Sequence, residues 1–130
     1  MARKPKRSTV KNNLDKVTPQ IIKLRDEQIC QRCLKYCSGQ GCHWSHVYSR
    51  TRYSMRWDLL NAIVLCAGCH QWWHDNPVDS GTWFAEKWPH REAYLQGKKL
   101  EPIRPIYTSE LIKWLEAHKL KLKQLEKGQG

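Results

Sequence analysis

Apolar residues recur at helical spacing near both ends of the chain. The first such stretch predicts a helix over residues 18–29, because Thr18 can cap it and Pro19 suits a first turn. The second stretch, over residues 109–126, has the clearer period and carries lysines on its polar side. Its apolar stripe consists of Leu111, Ile112, Leu115, Leu122 and Leu125. This C-terminal helix is expected either to pack on the domain or to contact DNA or a partner.

The middle of the chain has a different pattern. Residues 42–48 favour a short strand, and the β-branched, apolar segment 61–65 is typical of a second one. A helix should begin near Cys69 and end at Asn76-Pro77, since proline disfavours helix in the residue before it. The predicted order is therefore strand, loop, strand, helix.

Two further segments leave alternatives open. Residues 82–96 have a helical pattern interrupted by Pro89, so either one broken helix or two shorter helices are expected. Residues 1–14 are basic, with no acidic residue before Asp15, and such a composition cannot bury enough apolar surface to fold alone. We predict a flexible arm there, either solvated or in contact with phosphates.

Composition narrows the class of protein. A chain of 130 residues is long enough for one domain, and its net charge of +11 points to a polyanionic partner, of which DNA is the first choice, and away from a small-molecule substrate. No apolar run reaches the length of a membrane span, and the N-terminus lacks an apolar secretion segment. We therefore expect no membrane contact and a reducing, cytoplasmic location.

Two CxxC pairs predict one closed zinc site. The pairs are formed by Cys30, Cys33, Cys66 and Cys69. Four thiolates complete a tetrahedral zinc and leave no open position, so this site has a structural role. Cys37 and Cys42 remain as two open cases, because either one can replace a member of the first pair or be a buried thiol.

Histidines beside the second CxxC pair suggest chemistry. His70 and His74 stand at positions i and i+4 of the predicted helix, so both imidazoles can share one divalent ion. The unperturbed pKa of a histidine is about 6.5, so His46, on the preceding strand, is expected to be able to deprotonate a water. One base and one open metal suffice for phosphodiester hydrolysis. The alternative is that His70 or His74 is a spare ligand of the zinc.

The succession His46, Asn61, His70 around a CxxC pair resembles the HNH endonucleases, and the resemblance covers residues 30–76. It implies an α+β fold with a small ββα-metal core, tied by the four-cysteine zinc site and flanked by N- and C-terminal helices. The nuclease domain would span residues 15–97, and a basic amphipathic helix would occupy residues 98–130. The residues around His46 look most like phage-encoded members, which implies the cytoplasm of a bacterial host cell.

The resemblance also assigns roles. His46 would be the general base, Asn61 would fix the loop and orient His46, and His70 with His74 would bind a catalytic Mg²⁺, Mn²⁺, Ni²⁺ or Zn²⁺. Asn61 has a simpler interpretation as a turn residue. The family usually has Asp or His as a metal ligand where this chain has Ser45, and a serine hydroxyl is a poor ligand for such ions.

His43 is the open case among the histidines. It lies on the same side of the predicted strand as Ser45, so it either replaces the missing ligand or is a structural or surface histidine.

Arginines crowd the loop between the first strand and Asn61. Arg50, Arg52 and Arg56 are the predicted phosphate contacts for DNA, and an ion pair with Asp58 is the alternative for them. The sequence thus predicts a metal-dependent HNH endonuclease that cuts DNA. The competing hypothesis is a non-catalytic zinc-ribbon-like module that binds nucleic acid through charge.

Overall fold

Helices dominate the structure, and one two-stranded antiparallel sheet lies among them. The computed structural model describes residues 4–128. In chain order its elements are α1 (Arg7–Arg25), β1 (Cys42–His46), α2 (Tyr53–Arg56), β2 (Ala62–Cys66), α3 (Ala67–Asp75), α4 (Pro77–Lys87), α5 (Pro89–Leu100) and α6 (Thr108–Gly128). The α+β class is confirmed, as is the predicted order of strand, loop, strand and helix. None of the helices in this range is long and apolar enough to cross a membrane.

The two strands pair from Cys42 opposite Cys66 to His46 opposite Ala62. The side chains of β2 alternate between two separate parts of the core. Ile63 and Leu65 pack with residues of the α3–α5 side, whereas Ala62 and Val64 pack against α1. Both faces of β2 are therefore covered, which explains why its sequence is a continuous apolar run rather than an alternating one.

Residues 7–14 form the first turns of α1, so the predicted flexible arm is wrong over that range. Val10 and Leu14 are buried against Leu111 and Leu115 of α6. The charged residues Arg7 and Lys11 lie along the same side of the helix, half-buried over the ring of Tyr53, and a prediction from average composition cannot see such packing. Residues 1–3 of the predicted arm lie outside the described residues.

The helix predicted over residues 18–29 differs at both ends. It begins at Arg7, so Thr18 and Pro19 lie within α1 instead of starting it, and Thr18 is buried. It ends at Arg25, with Asp26 as its C-cap, and this is four residues before the predicted end at residue 29. The stop coincides with left-handed backbone at Glu27 and Gln28, which turns the chain toward the first CxxC pair.

The C-terminal part resolves both alternatives left by the sequence. The chain breaks at Trp88, directly before Pro89, and gives two helices, α4 and α5. Helix α6 packs along α1, so its apolar stripe serves the core. The predicted domain boundary between residues 97 and 98 falls inside α5. Residues 129–130 of the predicted last helix lie outside the described part.

Truncating Leu14 tests the packing of α1 on α6. Leu14→Ala removes a fully buried side chain and should lower the free energy of unfolding by about 2–5 kcal/mol. Urea unfolding of the zinc-loaded protein, followed by circular dichroism, measures the change. Asn12→Ala, at an exposed position of the same helix, is the matched control. Equal stability of the two variants would contradict a buried N-terminal helix.

Candidate functional site

Four cysteine sulfur atoms converge where the segment after α1 meets the start of α3. They belong to Cys30, Cys33, Cys66 and Cys69, and they all lie within 4.8 Å of one another. The Sγ atoms of Cys33 and Cys66 are 3.8 Å apart. Sulfurs around a tetrahedral zinc with bonds of about 2.3 Å are separated by about 3.8 Å. The cluster could therefore hold a metal ion such as zinc.

The surroundings of the cluster favour a thiolate at Cys30. Burial opposes its ionisation, but backbone N–H groups of Cys33, Cys66 and Arg32 outweigh it and lower the pKa of Cys30 to about 6. Burial and the neighbouring thiols instead raise the pKa of Cys69 to about 12. Four thiols this close cannot all ionise without a cation between them, so metal binding must release protons.

Cys37 and Cys42 lie outside the four-sulfur cluster. Both are buried in the small apolar group between α1 and β2, with Ile22 and Val64. Burial, with Cys42 next to it, raises the pKa of Cys37 to about 12. These two residues are therefore buried thiols in the structure, and neither replaces a member of the first CxxC pair.

The three predicted site histidines line one open groove. His46 at the end of β1 faces His70 and His74 of α3 across a space of about 560 Å³. The Nε2 atoms of His70 and His74 are 3.2 Å apart. With metal–nitrogen bonds of about 2.0–2.1 Å, this separation corresponds to an N–metal–N angle of about 100°. The pair could thus share one ion, with open positions toward the groove.

Two neighbours on β1 hold the ring of His70. The Ser45 Oγ lies 2.8 Å from His70 Nδ1, and Ser45 is buried. His43 stacks on the same ring, with centroids 4.4 Å apart and planes 11° from parallel. Burial and the neighbouring His43 and His74 lower the pKa of His70, which favours the neutral imidazole that binds metals.

Ser45 stands at the position where HNH endonucleases usually have a metal ligand. Here its hydroxyl instead holds the ring of His70. His43 stacks on His70 instead of supplying a third donor. Among residues 4–128, the cysteine cluster is the group in which three or more His, Cys, Asp or Glu side chains converge on one point. The protein itself offers two donors in the histidine groove, and waters or phosphate oxygens would have to complete a coordination shell there.

His46 is held through one ring nitrogen and leaves the other free. Its Nε2 lies 3.1 Å from the carbonyl oxygen of Arg56. A carbonyl only accepts, so Nε2 carries the hydrogen and Nδ1 keeps its lone pair. Burial, with the charges of Arg50 and Arg56, lowers the pKa of His46. At neutral pH this imidazole is uncharged and able to accept a proton.

Asn61 closes the loop between the two strands. It is fully buried, its Oδ1 accepts from the Tyr48 N–H at 2.9 Å, and its Nδ2 donates to the carbonyls of Tyr48 and Met55. Asn61 also ends a 3₁₀ turn, so it is a turn residue as well. Its effect on His46 is indirect, because Met55 precedes the residue whose carbonyl holds the His46 ring.

The three predicted phosphate-binding arginines have different surroundings. Arg50 is exposed and lines the histidine groove. Arg52 donates to the backbone carbonyls of Lys99, near the end of α5, and of Glu101, just after it. Arg56 pairs with Asp15, and not with Asp58 as the alternative proposed. Arg50 Nη2 also lies 4.0 Å from Asp15 Oδ2, so all three guanidinium groups have an intramolecular partner, although the Arg50 side chain stays exposed.

A second groove, of about 580 Å³, lies beyond the loop that carries these arginines. The cations along it are also engaged within the chain, since Arg104 pairs with Glu110 and Lys98 with Asp58. Sequence patterns gave no sign of this groove. Sequence patterns also did not indicate the pairing of Asp15 with Arg56. In the sequence, Asp15 stands out only as the first acidic residue after a basic stretch.

The two parts of the site suit different tasks. A tetrahedral ion on four thiolates has no open position and ties chain segments together. The histidine groove combines two convergent nitrogen donors, a neutral base and an exposed guanidinium, which is a set suited to a phosphate ester.

Comparison of the chain with protein-family models, with curated proteins and with solved structures found no match.

Metal analysis of cysteine variants tests the cluster. The purified protein should contain about one tightly bound zinc per chain, and Cys69→Ser should lose most of it because a tetrahedral site needs all four ligands. Elemental analysis after dialysis gives the stoichiometry. Cys37→Ser, which changes a buried thiol outside the cluster, should keep the ion. Equal loss in both variants would mean that the zinc is bound differently.

Proposed function

We propose that the protein is a metal-dependent endonuclease of HNH type that hydrolyses phosphodiester bonds in DNA. The observation that carries the proposal is that His70 Nε2 and His74 Nε2 lie 3.2 Å apart in a groove that His46 also lines, and that His46 is bonded to a backbone carbonyl through Nε2 alone. The ββα-metal arrangement belongs to the same proposal and is supported by the order β1, loop, β2, α3, with these histidines on β1 and α3.

The proposed reaction uses His46 as general base. Its Nδ1 accepts a proton from water, the water oxygen forms a bond to phosphorus, and the bond to the leaving 3′ oxygen breaks. A divalent ion held by His70 and His74 would supply positive charge to the phosphate and the leaving oxygen when bound. Mg²⁺, Mn²⁺, Ni²⁺ and Zn²⁺ are the candidates. The leaving oxygen takes its proton from solvent.

Charge and the zinc site complete the proposal. The net charge of +11 suits a polyanion, and Arg50 is the exposed cation placed to contact a phosphate next to the scissile one. A zinc on the four cysteines would fix the start of α3 and with it the direction of His70. Six free thiols suit a reducing compartment, such as the bacterial cytoplasm in which a phage-encoded nuclease would act.

One observation favours the competing function, a zinc-ribbon-like module that binds nucleic acid without cutting it. The described residues supply two donors in the histidine groove and no carboxylate that joins them. A two-ligand site binds metal weakly unless a substrate phosphate adds oxygens. The two functions therefore differ in one respect that can be measured, which is whether bound DNA is cleaved.

An assay of the cleavage of supercoiled plasmid distinguishes the endonuclease from the binding module. Wild type with Mg²⁺, Mn²⁺, Ni²⁺ or Zn²⁺ should give nicked or linear DNA, EDTA should stop the reaction, and His46→Ala should slow it by about 10²–10⁴-fold through loss of the base. His90→Ala, an exposed histidine on α5 away from the groove, should cut like wild type. Intact DNA under every metal, together with a gel shift, would establish the binding module instead.

The pH dependence tests the protonation state of the base. Protonated His46 cannot accept a proton, so the single-turnover rate should rise with pH through the pKa of His46 and then level off. Because burial and nearby arginines lower that pKa below 6.5, the midpoint of the rising limb should lie below pH 6.5. Arg50→Gln removes one of those charges and should move the rising limb to higher pH. A limb that stays in place would exclude His46 as the titrating group.

A further inference from the structure

Asp15 of α1 is bound to both residues that flank one peptide group. Its carboxylate accepts from Arg56 Nε at 3.1 Å and Nη2 at 2.5 Å, and from the indole Nε1 of Trp57 at 2.7 Å. The Arg56 side chain is largely buried there. A bidentate guanidinium–carboxylate pair of this kind is directional as well as strong, so it fixes orientation.

The peptide group between Arg56 and Trp57 is the one that holds His46. Its carbonyl oxygen is the acceptor for His46 Nε2. The preceding helix α2 is a single turn of four residues, and a helix this short does not keep its geometry alone. The orientation of that carbonyl therefore depends on what anchors the side chains of Arg56 and Trp57.

We propose that Asp15 is a positioning residue for the reaction: it fixes the Arg56–Trp57 peptide group and thereby keeps His46 in the Nε2–H tautomer with Nδ1 toward the groove. The proposal rests on the proposed nuclease function for its catalytic consequence. It adds a residue from α1, outside the segment 30–76 that resembles the HNH family, to the machinery of the site.

The fold leaves room for this role to be separated from stability. Trp57 is also buried in the α1–α6 core, where it packs near Trp114, and its carbonyl lies 2.7 Å from His118 Nε2. An asparagine at position 15 can still accept from the Trp57 indole, but it cannot form the charged, two-point contact with Arg56. Asp15→Asn should thus keep the fold while it loosens the carbonyl.

The experiment compares Asp15→Asn with Asp26→Asn. Asp26, the C-cap of α1, pairs with Arg25 and accepts from the Val64 N–H, so its variant also loses a partly buried ion pair, but one whose partners do not include Arg56 or Trp57. We expect Asp15→Asn to lower kcat by about 10–100-fold with little change in KM, and Asp15→Glu to restore part of it. Asp26→Asn should keep kcat, and both variants should lose similar thermal stability.

The second measurement does not depend on cleavage. Imidazole ¹⁵N NMR of His46 in the zinc-loaded protein should give the Nε2–H pattern in wild type and in Asp26→Asn, and a mixture of tautomers in Asp15→Asn. Unchanged His46 signals in Asp15→Asn would overturn the positioning role, as would an equal fall of kcat in the two variants. A wild type that cuts no DNA would overturn the proposed function alone, because the NMR comparison still decides the role of Asp15.

Discussion

The convergence of four sulfur atoms is the constraint on which the arrangement of the site depends. It connects the turn after α1 with the junction of β2 and α3, next to the hydrogen bond that the Gln31 N–H donates to the Val64 carbonyl. α3 has only nine residues, so the direction of its histidines follows from how its first turn is held. An ion on the four thiolates would fix that turn, and its binding energy would count toward folding.

The rings of His70 and His46, which both line the groove, are held through different nitrogen atoms. His70 is held at Nδ1 by Ser45 and offers Nε2, whereas His46 is held at Nε2 by a backbone carbonyl and offers Nδ1. The nitrogen that each ring leaves free is determined by the hydrogen bond at the other one. β1 and the loop after it supply both of these bonds. One short stretch of chain therefore determines which nitrogen of His70 and which nitrogen of His46 stays free.

Much of this was predictable from local pattern, and the rest depends on distant contacts. The β-branched run of β2, Pro89 and the CxxC pairs act within a few residues, so the sequence alone indicates a strand, a helix break and a cysteine cluster. Composition misled over residues 7–14, because Val10 and Leu14 face a helix near the other end of the chain. The pairing of Asp15 with Arg56 joins positions 41 residues apart, and no spacing rule connects them.

The pairing of α1 with α6 gives the fold an order of assembly. Arg7 and Thr108, which meet at one end of this pair, are 101 residues apart in sequence. α1 is made before α6, so the part of α1 that packs on α6 stays uncovered until α6 has left the ribosome. The segment around β1, β2 and α3 is complete well before that point. The contact that anchors the carbonyl beside His46 is thus among the last to become rigid, and in a nascent chain the His46 ring would not yet be held in one orientation.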